Sequence, residues 1–422
     1  MMGHPFLERL SRTDVVTRCG RVTRILPTFV EADGPNAPLG ALCQIETRAG
    51  QDARGPIQVM AEVVGVKGAS IVLAPFDDRV PTFAGARVEA CPEADGVGVG
   101  DGYLGRAIDG LGRPIDNLPS VRADQRRPWE GSPTPPLERT ATRRVLRTGV
   151  RAIDGLLTLA EGQRVGVFAA SGVGKTSLIM QMAQQIEADR CVICLVGERG
   201  REVEALWSEG LSPQARARTV LVAATSDQSA ATRVRAGGQA LALAEHWRDQ
   251  GRHVLLILDS VTRLAMALRE TGLAAGEPPT VRAYTPGVFA ALPKIVERCG
   301  ALKSGGAITA LFTVLSETDE VDDPVCEMMK SLLDGHIILA RRLAEQGHYP
   351  AIDVPRSISR LAGELNDRAH RTNVNTAVAQ LSAFEASRTL IEAGVYVPGA
   401  NRELDEALDR RPALLSFLRQ GQ

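Results

Sequence analysis

The chain is 422 residues long, 44% hydrophobic and 23% charged, with a formal net charge of −1. That is an ordinary globular composition with room for two or three domains, each with its own core. A near-neutral balance and an aromatic content of only 4% argue against a nucleic-acid binder, which draws on a basic surface and aromatic stacking platforms.

No apolar run approaches the ~18 residues of a membrane span, and the opening MMGHPFLERLSRTDVV lacks an apolar leader core; the expectation is a cytoplasmic chain. Within it Phe6, Leu7 and Leu10 fall at near-helical spacing, which suits either an amphipathic contact for a regulator or a frayed terminus. From residue 15 to about 92 the text reads as short strands, RVTRIL, FVEADGPNAPLG, ALCQIET, IQVMAEVVGV and ASIVLAPF. Gly and Pro punctuate them about every ten residues, predicting a small β-barrel or sandwich, and residues 1–92 are read as an N-terminal domain. After Gly96 comes the glycine-rich VGVGDGYLGRAIDGLGRPIDN, then WEGSPTPPLERT, a proline-rich connector expected to be extended.

From Thr148 to about Arg360 strand and helix alternate. The apolar runs RVGVFA (164–169), CVICLV (191–196), TVLVAA (219–224), HVLLILD (253–259) and AITALFTVL (307–315) are separated by helical stretches such as SLIMQMAQQIEA and TRVRAGGQALALAEHWRDQG. Near-continuous apolar strands between helices predict a parallel sheet covered on both faces, in an α/β core taken as residues 93–360. The tail, 361–422, is helical by periodicity through AVAQLSAFEASRTLIEAG and ELDEALDRRPALLSFLRQ. Of the seven cysteines only Cys191 and Cys194 are close in sequence, and strand alternation sends them to opposite faces. Buried thiols in a reducing compartment are the expectation, not metal ligands.

The first core strand runs into AASGVGKTSLIMQM, a phosphate loop with Ala169 in the place of its usual first glycine. The segment Ala170, Ser171, Gly172, Val173, Gly174, Lys175, Thr176 and Ser177 would wrap a nucleotide phosphate. The glycines let the backbone curl, Lys175 reaches the β and γ oxygens, the Thr176 hydroxyl serves Mg²⁺, and the next helix aims its N-terminus at the anion. Asp259 ends a wholly apolar strand, where an unpaired carboxylate is costly; at the carboxyl edge of a parallel sheet it would face the same crevice as Lys175 and hold the metal, a role compatible with capping the following helix. Glu198, closing CVICLVGE, belongs to that edge too. It reads either as part of a solvated charged loop, which Arg201, Glu202 and Glu204 fit better, or as the carboxylate that orients the attacking water, with Arg199 beside it for γ-phosphate charge.

The segments TGVRAIDGLLTLAEGQRVGVFAASGVGKT, GERGREVEALW, LDSVTRLAMALRE, GLAAGEPP, LLDGHIILARRLAEQGHYPAID and SISR resemble, in this order, the type III protein export ATPases, relatives of the rotary ATP synthase catalytic subunits. PAIDVPRSIS (350–359) also fits the signature shared by the α and β subunits of those synthases, and the resemblance spans from about Val15 to the closing FLRQ. It implies an N-terminal β-barrel, a RecA-like P-loop ATPase core and a C-terminal helical domain, with ATP and Mg²⁺ as ligands. On matching motif positions stand Lys175, Thr176, Glu198, Arg199 and Asp259, and Ala169 is common in this family. Tyr349 matches the aromatic lining the adenine pocket, with packing under the following loop as the alternative. Arg360 matches the arginine that reaches a neighbouring subunit's nucleotide.

In rotary synthases the catalytic glutamate and that arginine sit on different subunits; here Glu198 and Arg360 share one chain. The expectation is therefore a homo-hexamer with a working site at every interface. The resemblance further implies a stator-like regulatory protein, a central-stalk protein, chaperone–cargo complexes and an export gate as partners, at the inner face of the cell membrane and peripheral to it. GHYPAID, YTP and ATSDQS lean to the flagellar version over the injectisome. Three rivals stay open: an RNA translocase resembling the transcription termination factor, a noncatalytic nucleotide-holding ring subunit, and an ion-pumping synthase subunit. Residues 15–92 offer the first only Phe29, Phe76 and Phe83, with no Tyr or Trp.

Overall fold

Six antiparallel strands, β1 (Cys19–Ile25), β2 (Val30–Asp33), β3 (Leu42–Glu46), β4 (Gln58–Lys67), β5 (Ser70–Pro75) and β6 (Arg87–Ala90), close into a barrel in the order β1-β2-β5-β4-β3-β6. Closure leaves no open sheet edge. Alternation places Val22, Val30, Ala32, Cys43, Ile45, Ala61, Val63, Ile71, Leu73 and Val88 in its interior. Of the barrel's aromatics, Phe29 and Phe76 are buried and Phe83 packs against the interior. This computed structural model describes residues 18–47, 58–77, 81–91, 96–131, 134–140, 144–315 and 323–421. The N-terminal stretch with Phe6, Leu7 and Leu10 lies outside them. Two compact units are present: Met1–Gly96 with Asp227–Val234 and Met266–Val288, and the remainder of the chain.

The second unit is built on a parallel sheet of β7 (Arg164–Ala169), β8 (Arg190–Glu198), β9 (Thr219–Thr225), β10 (His253–Asp259), β11 (Ala307–Leu315) and β12 (Gly335–Leu339), in the spatial order β12-β7-β11-β10-β8-β9. Every neighbouring pair in that order is parallel. The five apolar runs of the sequence coincide with β7 to β11, and β10 is buried along its whole length, whereas β12 lies outside those runs and alternates buried and half-buried residues. Each fully buried Val, Leu or Ile contributes about 1.5–3 kcal/mol, so continuous apolar runs are what a sheet covered on both faces selects.

Between successive strands the chain forms α1 (Lys175–Gln185), α2 (Gly200–Ser208), α3 (Ala230–Arg248), α4 (Val261–Ala275), α5 (Pro286–Glu297) and α6 (Pro324–Leu332). Cys191 and Cys194 are buried in β8 as free thiols. Helix α1 stops at Gln185, short of the apolar pattern that runs on to Ala188, because Ile186 turns extended.

Several strands fall outside those apolar runs, Gly335–Leu339 of the sheet and Ala107–Ile108 among them. Ala107–Ile108 pairs in parallel with β9 at the sheet edge, two residues too short to show a period, held by a bidentate Arg106–Asp116 pair at 2.7 and 3.0 Å. Of the proline-rich connector, the described residues 134–140 hold a 3₁₀ turn at Pro136–Glu138 followed by the short strand Arg139–Thr140. The tail forms α7 (Arg368–Glu392) and α8 (Arg402–Leu418), a packed pair whose N-termini are capped by Asp367 and Asn401. Leu418 at the end of α8 reaches into the main core of the second unit.

Candidate active site

Strand β7 ends at Ala169, and the turn that follows delivers Lys175 as the first residue of α1. Val173 and Ala170 are buried and anchor the turn, whereas Ser171, Gly172 and Thr176 are exposed. Gly172 and Gly174 have φ of +81° and +90°, the left-handed region that a side chain resists. Exposed loop backbone at the start of an 11-residue helix is a ready anion cradle.

Sheet order assembles the rest. Strands β10 and β8 are neighbours with Asp259 opposite Leu195, so Asp259 and Glu198 emerge at one carboxyl edge beside Lys175. The Lys175 ammonium donates to Asp259 Oδ1 and lies 3.5 Å from Glu198 Oε1. Asp259 Oδ1 also accepts from the Thr313 hydroxyl of β11 at 2.6 Å. On the other side Arg263, in the first turn of α4, places Nη1 2.6 Å from Glu198 Oε2 and donates from the same nitrogen to the Gly197 carbonyl at 2.6 Å. Glu198 and Asp259 are each only 4% exposed, so both carboxylates depend on these cations and donors.

Against that geometry the comparisons are specific. The nucleotide-binding domain of the ATP synthase alpha/beta family matches residues 149–359, and the T3SS EscN ATPase C-terminal domain matches residues 366–422. The flagellum-specific ATP synthase of Salmonella typhimurium is 44% identical over 424 residues, covering 99% of this chain and 92% of that protein. The assembled ATPase EscN of the enteropathogenic E. coli type III secretion system superposes with a TM-score of 0.88 at 38% identity, over 95% of each chain. The same ATPase in complex with its central stalk EscO superposes with a TM-score of 0.84 at 37% identity, again over 95% of each chain.

The chain belongs to the type III export ATPases.

In this export ATPase the remaining predicted residues divide. Tyr349 stands with the phosphate loop: a Cβ added to Gly174 would lie 3.5 Å from its ring, and its side chain is left 41% exposed. Arg199 is exposed at the N-terminal cap of α2, directly after Glu198. Arg360 is exposed too, but its contacts are with the Asp334 carbonyl through its N–H, at 3.0 Å, and the Lys330 carbonyl through Nη2, at 3.5 Å. The described contacts of Arg360 thus include none with the Lys175–Glu198–Asp259 group of its own subunit.

Burial pushes the Glu198 carboxyl above the usual carboxylate range; a hydrogen bond with Glu202 adds to the rise, and Lys175 and Arg263 oppose it. A buried carboxylate with a raised pKa, oriented by a cation, suits proton handling. For Mg²⁺ the available donors are hard oxygens, the Thr176 hydroxyl and the Asp259 carboxylate. Among the described residues no group of three or more His, Cys, Asp or Glu forms a metal cage. That sparse set fits an ion that keeps several waters and takes its other ligands from substrate phosphates.

Arg263 and Thr313 were not singled out from sequence. Arg263 lies four residues after Asp259 in DSVTR, and Thr313 reads as one more residue of a buried strand.

Proposed function

We propose that this chain hydrolyses ATP, with Mg²⁺, to drive flagellar type III protein export from a homo-hexamer, and that Glu198 is the group that activates water. The observation that carries this reading is the convergence of Lys175, Glu198 and Asp259 on one sheet edge beside the phosphate loop. Lys175 and the loop backbone bind the β- and γ-phosphates, and Tyr349 covers the base. Thr176 and Asp259 hold Mg²⁺, which when bound neutralises charge on those phosphates. Glu198, steadied by Arg263, accepts a proton from a water in line with the γ-phosphorus as the water oxygen bonds to it. The bond from the γ-phosphorus to the bridging oxygen breaks, leaving ADP and phosphate. Arg199 in the same subunit and Arg360 from a neighbour stabilise charge on the transferred group.

Glu198 also argues against a noncatalytic nucleotide-holding subunit, because such a role needs no buried carboxylate beside the phosphate loop. The burial of Phe29 and Phe76 likewise argues against an RNA translocase. The flagellar reading draws on the 44% identity to the Salmonella typhimurium protein; the injectisome reading draws on the likeness to EscN at 38%. The central stalk, a stator-like regulator, the export gate and chaperone–cargo complexes are the proposed partners. Among the described residues no helix is long and apolar enough to cross a membrane, so contact with the inner face of the membrane would run through those partners.

The deciding experiment is a chromosomal Lys175→Ala strain scored for swimming and for secretion. Loss of swimming with other secretion intact supports the flagellar role. Intact swimming with loss of host-directed secretion assigns the protein to an injectisome.

A further inference from the structure

The last turn of the chain is tied to the nucleotide site by more bonds than its position requires. Gln420, two residues beyond α8, donates its main-chain N–H to the Tyr349 carbonyl at 2.8 Å. Its side-chain Nε2 donates to the Gly149 carbonyl at 2.7 Å, and its Oε1 accepts from the Arg151 N–H at 2.9 Å. The preceding residue is held as well: Arg151 Nη2 donates to the Arg419 carbonyl, and the Arg151 guanidinium lies 5.9 Å from the centre of the Phe417 ring. Phe417 in turn closes over Gly155, where an added Cβ would lie 2.9 Å from its ring. Both polar ends of the Gln420 side chain are therefore used, on the segment between Gly149 and Gly155 that precedes β7.

This segment is itself rigid. Asp154 accepts from the Thr148 N–H and hydroxyl at 2.8 and 2.7 Å and from the Gly149 N–H at 2.9 Å. Gly149 has a φ of +72°, and a Cβ there would fall 1.4 Å from Gln185 Oε1 at the end of α1. The tail is thus pinned to a fixed point, and the Gln420 N–H passes that fixity to Tyr349. Tyr349 needs it, because its ring is left 41% exposed over Gly174 and an ordered aromatic surface binds a base better than a mobile one.

We propose that Gln420 is a positioning residue for the base end of the nucleotide site: it locks the Tyr349 backbone to the Gly149–Arg151 segment so that the ring is held over the phosphate loop. The inference rests on the reading that ATP is the substrate and that Tyr349 covers its base. Gln420 touches no phosphate-binding group, so its effect falls on recognition of the base and not on the triphosphate.

The test uses full-length Gln420→Ala, Gln420→Glu, Tyr349→Ala and the Gln420→Ala/Tyr349→Ala double variant. The measurements are KM and kcat for ATP and competitive inhibition by inorganic tripolyphosphate, which has phosphates but no base. Loss of two side-chain hydrogen bonds should raise KM for ATP about tenfold in Gln420→Ala, with kcat within about twofold and the tripolyphosphate inhibition constant unmoved. Gln420→Glu keeps the acceptor for Arg151 but loses the donor to Gly149, and should fall between wild type and Gln420→Ala. In the Tyr349→Ala background Gln420→Ala should add nothing further. Equal weakening of ATP and tripolyphosphate, an unchanged KM, or full additivity in the double variant would each overturn the proposal. A wild-type protein without ATPase activity, or a Tyr349→Ala variant with normal KM, would instead sink the underlying reading of the site.

Discussion

The Arg263 guanidinium sits 2.6 Å from Glu198 Oε2, fixing one oxygen of the carboxylate while the other faces Lys175 at 3.5 Å. Because the same Arg263 nitrogen also holds the Gly197 carbonyl, the arginine sets both the side chain and the strand end that carries it. Arg263→Ala should therefore lower kcat about 10- to 100-fold, the cost of misplacing the proposed general base, and leave ATP binding nearly intact. Arg263→Lys should recover little, since an ammonium cannot reproduce a planar fork. Steady-state kinetics with a separate nucleotide-binding titration check this; a matched loss of binding and turnover would show that Arg263 serves the fold.

The pH dependence follows from the same carboxyl. As the proposed base Glu198 would act when ionised, and its pKa is raised by burial and by Glu202 and lowered by Lys175 and Arg263. Turnover should thus fall on acidification along a limb lying above the ordinary glutamate value of about 4.3, and recover as pH rises through it. Removing a group that lowers the pKa moves the limb to higher pH; removing one that raises it moves the limb to lower pH. The limb of Arg263→Ala should accordingly shift upward and that of Glu202→Gln downward, read from kcat against pH for the two variants beside wild type. Shifts of the same sign in both would detach the limb from Glu198.

Asp259 is satisfied by Lys175 and the Thr313 hydroxyl, so an apolar replacement would leave Lys175 only its 3.5 Å contact with Glu198 and Thr313 only the Leu258 carbonyl at 3.5 Å. Asp259→Asn is the better probe: it keeps the shape and an oxygen acceptor while removing the charge a divalent cation needs. It should raise the Mg²⁺ concentration for half-maximal hydrolysis by about tenfold or more, with excess Mg²⁺ restoring part of the rate. Chelation with EDTA should abolish hydrolysis in wild type. A magnesium titration of the two proteins decides the point, and superimposable curves would remove Asp259 from the metal site.

Five of the six parallel strands and the phosphate loop could be read in advance because each leaves a local trace. Doubly buried strands are continuous apolar runs, and GVGKT encodes its turn in glycines with positive φ. Glu198 and Asp259 could be placed on one edge because both end such runs. Arg263 could not be paired with Glu198, since the pairing depends on β8 lying beside β10 with β9 on its far side, and no local pattern states strand order. Ala107–Ile108 escaped for the opposite reason: it is too short for any period. The proposed role of Gln420 depends on a tertiary contact with Gly149 across 271 residues of sequence.

Arg360 supplies the sharpest test of the ring. It is exposed, and its described contacts are with the carbonyls of Asp334 and Lys330, which leaves its guanidinium outside the Lys175–Glu198–Asp259 group of its own chain. If it completes the site of a neighbour, Glu198→Gln and Arg360→Ala should each be nearly inactive alone, by about 100-fold or more. Co-assembled, however, they regenerate complete sites wherever an Arg360→Ala subunit, with its intact Glu198, meets the intact Arg360 of a Glu198→Gln subunit. Random mixing in equal amounts makes that true at roughly a quarter of the interfaces. The mixture should therefore hydrolyse ATP at roughly a quarter of the wild-type rate per subunit, with each variant alone near background. Recovery requires co-assembly, so the variants must be mixed as dissociated subunits before the ring forms. A mixture no more active than its components, though assembled to the same size by light scattering, would mean that Arg360 does not act across the interface.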